Sequence, residues 1–221
     1  MKNRPGMMHS RQTGIGEAID TGISLLDNLA NKPAQILDLV FNDGFLRRIL
    51  SPHHVGLLAP PGSHGDLSSA IGARGIHILS VLRSSVVTAQ LTERFGKQVN
   101  VDIYLCRAKA RDTPRLEVFR VVEGLGATDI RTAMPDVLHV AYTPREPVGV
   151  AAISEKIVAD GFEYVGGGVN HNKLMSEQNA ITVLYFRRRQ PIEGIPRIEL
   201  FLPGRHPLPF TAEADHLIAV P

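Results

Sequence analysis

Cysteine is almost missing from this chain: Cys106 is the single one in 221 residues. That excludes an intrachain disulfide framework and leaves no thiolate cluster for a metal, so any metal must be held by nitrogen and oxygen. An excess of one charge is missing too. Lys and Arg total 24 against 22 Asp and Glu, a net charge of +2, which makes no broad electrostatic case for nucleic acid. No window reaches the roughly 18 apolar residues of a membrane span. Lys2 and Arg4 are not followed by the apolar core of a signal peptide. Hydrophobic content of 43% and charged content of 21% are those of a soluble globular protein, long enough for one large domain or two small modules sharing a core. The expectation is a cytoplasmic enzyme or binding protein with a small-molecule partner and neither nucleic acid nor membrane.

What is present is a repeat. Pro114-Arg115-Leu116-Glu117-Val118-Phe119 and Pro196-Arg197-Ile198-Glu199-Leu200-Phe201 are near copies. Each follows a histidine that opens an apolar, strand-like run, His54 before Val-Gly-Leu-Leu and His139 before Val-Ala-Tyr. Glu117 lies 63 residues after His54, and Glu199 lies 60 after His139; the histidines repeat at an offset of 85 and the glutamates at 82. Two His…Glu units in tandem point to an internal duplication that gathers two imidazoles and two carboxylates as a metal site.

The rest of the chain organises around these units. Residues 1–51 form a helical extension, with two helices expected over 15–50 by apolar spacing, a break at Asn31-Lys32-Pro33 and a weak point at Gly44. It either packs on the main body or closes over the site as a lid. The first βαβββ-like module covers 52–135. A strand over His53–Pro60 ends at Pro60-Pro61-Gly62, residues 65–96 are ambiguous between helix and strand, and Val99–Cys106 and Arg115–Val122 read as strands. The second module covers 136–203 and reads as βαβββ: strand Asp136–Thr143, helix Val148–Asp160, and strands from Phe162–Val165, Ala180–Arg187 and Pro196–Pro203. A tail of 204–221, with His206 and His216, gives no reading. Strand alternation places Arg197, Glu199 and Phe201 opposite Ile198, Leu200 and Leu202. In the other copy it places Arg115, Glu117 and Phe119 opposite Leu116 and Val118. It also sets His54 level with Gly56 and His139 with Ala141, and turns His53 to the face away from His54 as a structural residue, unless a one-residue register shift exchanges them.

With this pattern the chain resembles the vicinal oxygen chelate superfamily, which includes glyoxalase I and the extradiol dioxygenases, over residues 52–203. The resemblance implies an α+β fold in which paired βαβββ modules curl a mixed sheet around one divalent metal ion (Fe, Ni, Zn, Co or Mn). It implies His54, Glu117, His139 and Glu199 as ligands, with Glu117 and Glu199 also the catalytic proton carriers of an isomerase or lyase. An Fe(II) oxygenase, using two histidines and one carboxylate, is the alternative implied activity. A metal-free binding or resistance protein on the same scaffold is a third. The family's sheets often pair across subunits, so a homodimer is one expected state and a site complete within one subunit the other.

Four further residues are candidates for substrate contact. Arg115 and Arg197 precede the two glutamates by two residues, and either pairs a substrate carboxylate or neutralises its neighbour. His171 and Lys173 belong to a run from Gly166 to Lys173 whose three glycines read as a hairpin connection or a substrate-contacting loop. Arg187-Arg188-Arg189 reads as a solvated strand end.

Overall fold

Asp43 shows how local chemistry sets the first elements. Its carboxylate accepts from Phe45 N at 2.7 Å and Leu46 N at 3.1 Å, capping a helix that starts at Gly44. The computed structural model describes residues 14–108, 115–170, 180–192 and 194–210. Three helices rather than two open this region: α1 (Ile15–Asn31), α2 (Pro33–Val40) and α3 (Gly44–Ile49). Gly44 begins the third because a side-chain cap follows the Phe41–Asn42 break.

Strand β1 (Leu50–Leu58) leads to α4 (His64–Gly72), β2 (Ile76–Arg83), α5 (Ser85–Phe95), β3 (Asn100–Ala108) and β4 (Arg115–Glu123). The ambiguous stretch 65–96 therefore resolves into helix, strand, helix. Ser63 and Asp66 form a reciprocal capping box at the start of α4. Ser84 caps α5, which Gly96 ends with φ +60°, a conformation open chiefly to glycine. Helix α6 (Ala127–Val137) comes next, then β5 (His139–Pro144), α7 (Val150–Ala159), β6 (Phe162–Asn170), β7 (Ile181–Ile192) and β8 (Ile195–Pro203). Two boundaries differ from expectation. The strand expected from Asp136 starts at His139, because Asp136 and Val137 end α6. The run Gly166–Gly168 is strand, not loop: a bulge between Tyr164 and Gly166, with Gly166 at φ +132°, uses the glycines inside the sheet. A Cβ on Gly167 would lie 2.5 Å from the Val183 carbonyl oxygen. His171, Lys173 and His216 lie outside the described residues.

The fold is α+β, as expected, with a curled and unclosed eight-stranded mixed sheet in the order β2-β3-β4-β1-β5-β8-β7-β6. The order is palindromic about the antiparallel β1–β5 pair, and β1–β4 and β5–β8 are parallel. The second half is βαβββ, whereas the first carries α5 as an extra helix between β2 and β3. On the outer face Val55, Leu57, Leu116 and Val118 join Ile19, Leu26 and Leu29 of α1 in the main core. A Cβ on Gly22 would come 2.4 Å from Leu57 Cδ2, so α1 lies close on β1. The lid reading fails for α1, since the repeated glutamates face the other way. The Asp160 carboxylate, at the end of α7, accepts from Asn42 N and Asp43 N at 2.9–3.1 Å and ties the helical extension to the second half. Inside the curl α5 and α6 fill much of the concave face. Val87, Leu91, Ile130 and Ala133 pack there with Ile103 and Phe119, while Val86 meets Val183 and Tyr185 across the sheet. Among the described residues no helix is long and apolar enough to cross a membrane.

Candidate metal centre

The palindrome brings the two repeats into adjacent rows of the sheet. In one row Glu117 pairs with Gly56, which pairs with His139. In the other His54 pairs with Ala141, which pairs with Glu199, itself opposite Tyr185. Small residues occupy the middle of both rows. A Cβ on Gly56 would fall 2.1 Å from His139 Cε1, so the imidazole lies directly on the glycine backbone.

Nitrogen and oxygen atoms of four side chains converge from these rows. His54 Nε2 lies 3.3 Å from His139 Nε2 and 3.6 Å from Glu199 Oε1. His139 Nε2 lies 3.2 Å from Glu199 Oε2. Ligand atoms of His54, His139 and Glu199 all fall within 4.8 Å of one another, and the three residues are at most 2% exposed. Glu117 Oε2 approaches His54 Nε2 at 3.5 Å, and its side chain is 15% exposed against 3% for Glu199. The three-residue group is therefore buried, with Glu117 at its more open side.

Surrounding contacts set which atoms face inward. His139 Nδ1 lies 2.7 Å from the Val137 carbonyl. A carbonyl only accepts, so Nδ1 carries a proton, and a ring with no second proton turns a lone pair inward from Nε2. His54 Nδ1 contacts His53 Nδ1 at 2.9 Å; when His54 donates there, its Nε2 lone pair points inward as well. Burial pushes the His54 pKa down to about 3, so the ring is neutral at neutral pH. Glu199 Oε1 is buried with no hydrogen-bond partner. Burial pushes the Glu199 carboxyl up, but opposing interactions outweigh it and hold it at about 2. Because His54 is neutral, the hydrogen bond from the Tyr185 hydroxyl is the one that acts without a charged ring. Lone pairs and a carboxylate crowded at 3.2–3.6 Å repel one another unless a proton or a cation lies between them. A divalent metal ion fits this donor set on chemical grounds, since imidazole and carboxylate suit several first-row ions.

Glu117 differs from its repeat partner. Burial and the nearby Glu199 charge raise its pKa to about 8, offset in part by Arg115. At neutral pH without a cation, it holds a proton while Glu199 does not.

His53 corrects the simple alternation. The pairing of β1 with β5 slips between Pro52 and His54, and at this bulge His53 is the extra residue. Instead of facing away, its ring stacks on Phe201 at 4.1 Å and touches His54. Tyr185 is the residue the repeat did not reveal. It sits opposite Glu199 and carries the Arg197 guanidinium 3.9 Å from its ring centre. Arg197 is 9% exposed, while Arg115 is partly buried. Arg187 is exposed, but Arg188 donates to the Val40 carbonyl at 2.7 Å within β7, so the arginine run is not a solvated strand end.

No protein-family model matches the chain, and no curated protein matches it. Among solved structures it is similar to a glyoxalase family protein from Bacillus cereus. The identity is 19% and the TM-score 0.27, over 67% of this chain and 91% of that one. A superposition that loose assigns no activity.

Proposed function

We propose that this chain is a metal-dependent enzyme of the vicinal oxygen chelate kind, catalysing proton transfer on a small, oxygenated, anionic substrate. The single observation behind the reading is the two-fold-related convergence of His54, His139 and Glu199, with Glu117 beside them. His54 Nε2, His139 Nε2 and the Glu199 carboxylate would hold the ion, and Glu117 would complete or border the set. A divalent ion there supplies Lewis acidity toward substrate oxygens. Tyr185 holds the Glu199 carboxylate in place, and the Val137 carbonyl fixes the His139 ring. Glu117, on the more open side, is the group positioned to take and return a proton at Oε2. Arg115, two residues away on the same face, suits a substrate anion, with His171 and Lys173 as further contacts. Lyase or isomerase chemistry follows from this assignment.

An Fe(II) oxygenase is the second reading. It is favoured by one feature: the three mutually close residues are two histidines and one carboxylate, the set of non-haem iron oxygenases.

Elemental mass spectrometry of the anaerobically purified protein tests both. About one equivalent of Ni, Zn, Co or Mn, lost in His139→Ala and Glu199→Ala, supports the first. Iron at that level, with Fe(II)-dependent oxygen uptake, supports the second. No metal after incubation with each ion sinks both and leaves a binding protein on this scaffold.

A further inference from the structure

Behind the cluster, between α5, the end of α6 and strands β6–β8, lies a cavity of about 670 Å³. None of the four proposed metal-site residues lines it. Its walls include Leu91, Pro135, Val137 and Val165, with Gln90 and Arg197 among the polar groups. The volume is that of a site for a small organic ligand.

Arg197 is the unusual wall. It comes from β8 on the same face as Glu199, and its Nε is buried without a partner. One amino group donates to Gln90 Oε1 at 3.5 Å, a long bond, and the guanidinium stacks on Tyr185. The other cavity arginines are already matched: Arg94 pairs with Asp136 and Arg187 with Glu163 at 3.0 Å. Among the described residues no carboxylate forms an ion pair with Arg197. A buried cation with no ion-pairing carboxylate is stabilised by an anion that reaches its open side, and a guanidinium matches a planar carboxylate in shape and charge. Glu93 and Asp136 also line the cavity and disfavour a dianion such as phosphate. The apolar walls call for a hydrocarbon body beyond the charged group.

We infer that this cavity is a second ligand site, binding an organic monocarboxylate whose carboxylate sits on Arg197 and whose apolar part lies against Leu91, Val137 and Val165. It goes beyond the metal-dependent reading and stands whether or not that reading holds. The two sites share structure, since the Val137 carbonyl fixes His139 and Tyr185 lies between Arg197 and Glu199.

Isothermal titration with benzoate and hexanoate, and with benzamide and inorganic phosphate for comparison, tests the site on the full chain. Saturable binding of at least one carboxylate is expected, with benzamide and phosphate weaker. Arg197→Gln should weaken it by roughly tenfold or more, as loss of a charge-assisted hydrogen bond does. Val165→Phe, which fills the cavity, should abolish it while metal content and circular dichroism stay as in wild type. Failure of both carboxylates to bind overturns the proposal. So does benzamide binding equally well, phosphate binding more tightly, or undiminished binding to Arg197→Gln. Should Arg197→Gln not fold, Val165→Phe decides, and retained carboxylate binding there overturns the site. Metal content, measured on the same wild-type sample, reports separately on the metal-dependent reading.

Discussion

At Gly56 a single hydrogen atom decides whether the cluster forms. A methyl group there would stand 2.1 Å from the His139 ring, and the sheet backbone beneath it cannot yield. Gly56→Ala should therefore displace His139 and abolish metal retention as completely as His139→Ala, checked by elemental analysis after dialysis. His53 acts one bond further out, by contact with His54 Nδ1. His53→Ala should lower metal affinity by roughly 10- to 100-fold, the usual effect of losing an outer hydrogen-bond partner, read by competition with a chromophoric chelator. Glu117 governs the pH response of the metal-free protein. Its folded pKa of about 8 lies above the ordinary 4.5, so between these values the folded state binds more protons than the unfolded one. Stability is then greatest below about 4.5 for this group and falls as pH rises through 8. Melting of chelator-treated protein should drop from pH 5.5 to 8.5, and Glu117→Gln should flatten the slope.

At the scale of elements, the join between the helical extension and the second half rests on Asp160. Its carboxylate accepts from the backbone N–H groups of Asn42 and Asp43, just before α3, much as an N-cap does. Asp160→Ala should destabilise the fold by about 1–2 kcal/mol, seen as a lower urea midpoint with the His54–His139–Glu199 cluster intact. Elements also show where sequence patterns stop being legible. The strands of the repeat could be read because alternation of apolar and polar residues follows from the pleat. Helix α6 gave no such signal, as Pro135 inside it removes a backbone donor and normally argues against helix. The glycines of β6 read as a loop because their strand conformation depends on a bulge and on close approach of β7. The His53 bulge is likewise set by pairing with β5, which no local rule specifies.

For the molecule as a whole, the main core on the outer face and the smaller clusters inside the curl lock the sheet between helices. Cys106 lies within this core, fully buried, and burial pushes its thiol up to about 12. Iodoacetamide should therefore fail to modify the native protein at pH 8 and react only on opening of the β3 region, with the unfolded chain labelled at once. Labelling of native protein at the unfolded rate would mean that β3 is not held as described.

The chain's repeat, its candidate-ligand residue types and the face that each of the four takes were set by local chemistry: strand alternation, a near-identical hexapeptide, and histidines placed at matching offsets. Whether those residues meet was a tertiary matter. The antiparallel β1–β5 pairing sets Glu117, Gly56 and His139 in one row and His54, Ala141 and Glu199 in the next, pairings between residues 58 to 87 positions apart. The same pairing turned His53 inward, the β7–β8 pairing put Tyr185 beside Glu199, and the packing of α5 and α6 left Arg197 lining a cavity. Such features arise from packing between distant segments, where the energies are those of exclusion and desolvation, and a linear pattern carries no record of them.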